Sequence, residues 1–251
     1  MVSVDRFAER PVAQHGTPES VWRENGPTYP DLVHDGLAHL VLVAPHPDDE
    51  VLGLGGWASM LAASGVPVTV VAVTDGGASH TPTPARSRAD LEAVRRAESA
   101  SALVDLGMVD IRRLSMPDGQ VAEHERALVD ALVDVLDTVG RGTTVWCATT
   151  LRGDGHPDHE AVGRASAAAA SRNGCTLVEY PVWMWHWAEP GDEAVDWESA
   201  RTITLDADAI ARKEVAVSRF VSQTTRDGNE DEILPPWVLE RLLRSHETVF
   251  V

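Results

Sequence analysis

From His39 onward the chain alternates short, continuous apolar runs with longer segments whose apolar residues recur at helical spacing. This pattern predicts a strand at His39–Ala44, a helix from about Asp49 to Ser64, and a strand from Val66 to Val73. A long helix near Ala85–Leu106 follows, stopped by Gly107, and then a short strand at Asp110–Leu114. The next predicted helix, Val121–Val139, sets Leu128, Ala131, Leu132, Val135, Leu136 and Val139 on one stripe and ends at Gly140. A strand at Thr144–Thr149, a helix near His159–Asn173 capped by Gly174, and a strand at Thr176–Pro181 complete the series. Strands apolar on both faces, alternating with helices, imply a mostly parallel sheet covered on each side. The expected fold is a single-domain, Rossmann-like α/β sandwich with core strand order 3-2-1-4-5.

The flanks are less regular. Residues 1–36 are polar, without sustained period, and read as an arm on the α/β domain of residues 37–225; residues 226–251 read as a C-terminal extension packed on the same domain. Late elements are a strand near Thr202–Leu205, a helix from about Ala207 to Val221, a solvated acidic loop at Asp227–Glu232, and a short helix after Pro235-Pro236. Trp183, Trp185 and Trp187 alternate with Met184 and His186, so a strand here would put the three indoles on one face. Such a row serves either as a sugar-binding wall or as core or subunit contact, the last compatible with a homo-oligomer. From Val51 to Thr74 no side chain is charged, but Gly53, Gly55, Gly56 and Gly65-Val66-Pro67 break the stretch, so no membrane span is expected.

Composition narrows the function classes. Among 251 residues, 43% hydrophobic and 24% charged exclude disordered and fibrous chains. A formal net charge of −18 repels phosphate backbones and anionic lipid, so nucleic acid and membrane surfaces are poor partners. The two cysteines, Cys147 and Cys175, make neither a metal cluster nor a disulfide framework, and the N-terminus shows no apolar secretory stretch. A cytoplasmic protein is expected.

Two segments carry chemistry. Ala44-Pro45-His46-Pro47-Asp48-Asp49-Glu50 follows the first strand, and Arg152-Gly153-Asp154-Gly155-His156-Pro157-Asp158-His159-Glu160 follows the fourth. In a first helical turn, residues three apart share a face, which pairs His46 with Asp49 and His156 with His159. In the expected strand order these segments meet at the topological switch point, where such folds bind ligands. Imidazole and carboxylate donors without thiolate suit a divalent first-row metal, with zinc favoured, and three protein ligands leave a position open. Each segment taken alone is equally well explained as a helix cap that complements the helix dipole.

The paired motifs resemble those of the PIG-L (LmbE-like) family of zinc-dependent de-N-acetylases, over roughly residues 37–225. Further similarities are Thr74-Asp75-Gly76, the Arg95, Arg96 and Glu98 segment, Pro117-Asp118-Gly119 and Ser222-Gln223; one departure is Gly77, where many members carry an acidic residue. The resemblance implies zinc held by His46, Asp49 and His159. It further implies Asp48 as general base, His156 (as imidazolium) steadying the oxyanion, and Asp158 orienting that histidine. Arg86 and Trp185 are the candidate substrate contacts. The implied activity is hydrolysis of an N-acyl, foremost N-acetyl, group from a small amino sugar or glycoside. An amidase acting on a thiol conjugate or natural-product amide, or an inactive metal-binding scaffold, are the alternatives.

Overall fold

The computed structural model describes residues 10–84, 86–140, 144–228 and 230–251; residues 1–9 of the arm and Ala85, the predicted start of the long helix, lie outside them. The apolar runs pair as parallel strands: β1 (His39–Ala44) lies between β2 (Val68–Thr74) and β4 (Val145–Thr150), with β3 (Asp110–Met116) beyond β2 and β5 (Thr176–Tyr180) beyond β4. The expected order 3-2-1-4-5 is thus observed. Two more strands, β6 (Ala200–Thr204) and β7 (His246–Phe250), extend the sheet antiparallel in the order β5-β7-β6.

Alternation along β1 feeds a core on each face. Leu40 and Leu42 pack with α2 (Asp49–Ala63) and α3 (Arg88–Asp105), while Val41 and Val43 pack with α4 (Glu125–Gly140) and α5 (Pro157–Asn173). Burial on both faces is why these strands read as continuous apolar runs. Leu42 pairs with Val70 on one side and Ala148 on the other, so the carboxyl ends of β1 and β4 lie side by side. Among the described residues no helix is long and apolar enough to cross a membrane.

Three departures from the sequence expectation have physical causes. The Trp183–Trp187 row does not form a strand. Met184–Trp187 is a single helical turn, α6, because the Asp154 carboxylate gathers the backbone N–H groups of Val182, Trp183 and Met184. Successive side chains then rotate by roughly 100° and the indoles diverge. The arm contains a helix, α1 (Glu19–Asn25), too short to show a period; its Trp22 enters the core and donates from Nε1 to the Trp185 carbonyl at 3.0 Å. The extension supplies β7, hidden in sequence because His246, Glu247 and Thr248 at its start read as surface residues. The predicted helix from Ala207 ends at Val217 as α7, with the short α8 (Val221–Thr224) after a break, and α9 (Pro236–Leu242) is the helix expected after the proline pair.

Candidate metal centre

The chain leaves β1 through Pro45-His46-Pro47 and enters α2 at Asp49, with Asp48 forced to φ 141° and ψ −32°. That region is sparsely populated for a residue with a Cβ and persists only where the surroundings over-determine it. They do so here. The Arg95 guanidinium, on α3, donates to the Pro47 carbonyl (2.8 Å), to Asp48 Oδ2 (3.0 Å) and to the Gly76 carbonyl (2.9 Å). The Asp48 N–H donates to Glu50 Oε2, whose other oxygen accepts from Ser99. Gly76 is required for this clamp: at φ 71°, a Cβ there would stand 2.2 Å from Arg95 Nη1.

The second segment leaves β4 and caps α5 with His156, whose Nδ1 accepts the Asp158 N–H at 3.2 Å; Pro157 takes the first helical position, where no N–H is needed. One turn in, His159 is fully buried and its Nδ1 pairs with Asp154 Oδ2 at 2.8 Å. Asp154 is itself held by the three N–H groups at the start of α6. Together they fix the imidazole's orientation and leave Nε2 to face the other segment.

There it meets His46 and Asp49. Asp49 Oδ2 lies 3.1 Å from His46 Nδ1 and 3.2 Å from His159 Nε2, and the two imidazole nitrogens are 3.3 Å apart. Ligands at zinc–nitrogen bond lengths on a tetrahedron are separated by about 3.3 Å, so the three donor atoms already form one face of such a site. The residues fit a divalent cation. His46 Nε2 points the other way, 3.1 Å from Asp118 Oδ1 and 3.4 Å from Asp158 Oδ2. Those carboxylates also accept backbone N–H groups, Asp118 from Ala78 and Asp158 from Gly119 and Val121. This carboxylate–imidazole arrangement orients a ligating histidine and raises its basicity.

The local electrostatics separate the group into distinct roles. Burial, opposed by Arg95 and reinforced by Asp49, pushes the Asp48 carboxyl up to about 7. Burial also works to raise Asp49, but the His159 and His46 imidazoles beside it hold it far below the ordinary carboxylate range. His159 is raised to about 9 because Asp49 and Asp154 outweigh its burial. Burial and the positive charge on His159 and His46 drive His156 down to about 3. Because its Nδ1 accepts the Asp158 N–H, Nε2 is the ring nitrogen of His156 that can donate.

A chamber of about 330 Å³ opens over the group, walled in part by Asp48, His156, Trp183 and Gln223. The two segments thus come together as expected. Asp158 reaches His156 through its backbone N–H, whereas its carboxylate serves His46. Arg86 pairs with Asp227 and Glu230 of the acidic loop, which is therefore not merely solvated. Trp185 packs edge-on against Trp22, with the Arg244 guanidinium 4.3 Å from its ring, and it is Trp183 that lines the chamber. Asp154, Asp118 and Arg95 had no assigned role in the sequence, although Asp118 and Arg95 lie in segments that resemble the family.

The GlcNAc-PI de-N-acetylase (PIG-L) family matches residues 41–170, an interval that holds both motifs. A probable N-acetyl-α-D-glucosaminyl L-malate deacetylase 2 of Bacillus cereus is 33% identical over 138 residues, 53% of this chain and 61% of that protein. A diacetylchitobiose deacetylase of Thermococcus kodakarensis is 30% identical over 132 residues, 53% of this chain and 49% of the relative. The chain thus spans about half to three fifths of the length of these curated relatives. Among solved structures, a conserved protein of Thermus thermophilus superposes with a TM-score of 0.55 at 28% identity, covering 74% of this chain and 80% of that one.

Proposed function

This chain belongs to the PIG-L family, and on that premise we propose that it is a zinc-dependent hydrolase removing an N-acyl group, acetyl foremost, from an amino sugar or its glycoside. The observation that carries the reading is the convergence of His46, Asp49 and His159, whose donor atoms all lie within 4.8 Å of one another beneath a chamber that Asp48 and His156 also line. The two curated relatives support the substrate class, since both are named for an N-acetylated amino sugar.

His46, Asp49 and His159 would hold the metal. Bound there, zinc would supply Lewis acidity, activating water at neutral pH and polarising the amide carbonyl. Asp48, in the chamber wall and clamped by Arg95, takes the proton of the attacking water and returns it to the departing amine. A carboxyl with a raised pKa suits both halves of that task. His156 donates from Nε2 to the developing oxyanion, a contribution of about 3 kcal/mol for one well-placed donor. A strained Asp48 has no use in an inactive scaffold, which favours an enzyme. A cytoplasmic setting belongs to the same reading, supported by two unpaired thiols, Cys147 and Cys175.

The test is acid release from a panel of N-acylated amino sugars. Zinc-loaded protein is expected to release acetate and free amine in equal amounts, to stop on chelation, and to recover with zinc. Hydrolysis of non-sugar amides alone would overturn the substrate class.

A further inference from the structure

The chamber over the metal group is at the small end of small-molecule sites, which run from roughly 300 Å³ upward. Trp183 and Ile233 line both it and a second cavity of about 570 Å³. The second cavity is built from segments outside the family-matched interval: the arm at Val12–His15 and the stretch from Arg226 to Trp237. Its wall is aromatic. His15 and Trp237 stack with ring centroids 4.1 Å apart and planes within 6°, and Trp183 stands at the junction.

The wall is held in place. His15 sits at φ 65°, and its carbonyl accepts from the buried Arg241 guanidinium at 3.2 Å. Trp183 is fixed through its backbone N–H to Asp154, the carboxylate that orients the ligand His159. One residue thus borders both cavities and is tied to the metal group.

We propose that this groove is an aglycone subsite: it takes a flat, apolar group glycosidically linked to the amino sugar whose amide lies at the metal. The inference rests on the hydrolase reading above. Flat aromatic walls recognise flat rings by stacking and area burial, and a bare sugar would leave them empty. Charge narrows the class further. Arg226 at the rim is paired with Asp231 at 2.7 Å and Glu232 stands beside it, so an acidic aglycone would meet net negative charge. The favoured substrate is a neutral aryl glycoside and not a sugar joined to a small dicarboxylate.

The test compares free N-acetylglucosamine, its naphthyl glycoside and N-octanoyl glucosamine on zinc-loaded protein. The naphthyl glycoside is expected to show a KM about tenfold below that of the free sugar, the worth of one good aromatic stack. Trp237→Ala and, at a more exposed position, His15→Ala should each collapse that preference, and Trp237→Phe should keep most of it. Equal KM for glycoside and free sugar, or a preference that survives both alanine variants, would overturn the subsite. Sensitivity shown by the octanoyl substrate instead would assign the groove to the acyl chain and overturn the aglycone reading. If no substrate is hydrolysed, the hydrolase reading fails, and quenching of naphthyl fluorescence on binding then decides the groove. Quenching by the wild type that is lost in both alanine variants sustains it, and quenching that is absent or unchanged overturns it.

Discussion

Two buried charge clusters sit along α2, and they differ in how their hydrogen-bonding capacity is used. Midway along the helix, Lys213 and Glu247, both nearly inaccessible, pair at 2.7 Å. Lys213 also donates to the Leu52 carbonyl, and Glu247 accepts the N–H groups of Gly56 and Trp57. These bonds meet the helix beside Leu54, whose φ of −135° breaks its regular geometry, so the pair satisfies the groups that the kink exposes. At the N-terminus of α2, by contrast, the ligand atoms of His46, Asp49 and His159 crowd within 4.8 Å of one another, and the pKa values of the adjacent carboxyls of Asp48 and Asp49 are driven apart. Burial of charge is common to both. Three potential ligand atoms brought together at one point belong to the second, and that convergence marks the candidate site.

The comparison can be broken in order of expected effect. Asp48→Asn should keep the metal and lower kcat by roughly 10²–10⁴, the usual worth of a positioned base; metal analysis beside steady-state kinetics checks it, and an intact kcat removes Asp48 from the base role. Lys213→Met should cost about 3–5 kcal/mol of stability by stranding Glu247, with metal stoichiometry unchanged, and adding Glu247→Gln should recover much of it. Denaturant melts of the single and double variants decide this; a single variant as stable as wild type would mean that the pair does little.

Asp154→Ala should weaken zinc binding about 10–100-fold, as loss of a carboxylate behind a ligating histidine does, measured by competition with a chelator of known affinity. The smallest effect is in pH. Asp48 acts as base only when ionised, so kcat/KM should fall as pH drops through its pKa, at or below about 7 since a cation alongside favours the carboxylate. Arg95→Met removes a positive charge that lowers that pKa, so the acid limb should move to higher pH. An unmoved limb would assign Arg95 to backbone support alone.

Much of the architecture was legible along the chain because strands buried on both faces leave continuous apolar runs, and helices on such a sheet leave a stripe. The switch-point rule then brought His46, Asp48 and Asp49 towards His156 and His159 without a structure. The indole row was misread because residue alternation cannot report that a distant carboxylate, Asp154, would collect its N–H groups into a helical turn. β7 escaped notice for a similar reason: Glu247 looks like a surface residue until Lys213, from another element, is found beside it.

The α/β alternation, the order of the central strands and the donor types at the two helix starts could be read along the chain, since these follow from local periodicity, short-range spacing and the switch-point rule. The folded arrangement alone settles which carboxylate pairs with which imidazole, that Arg95 clamps a strained Asp48, and that the arm and the C-terminal segment build an aromatic groove beside the chamber. Those properties depend on distance and dielectric between residues far apart in the chain, and no local pattern encodes either.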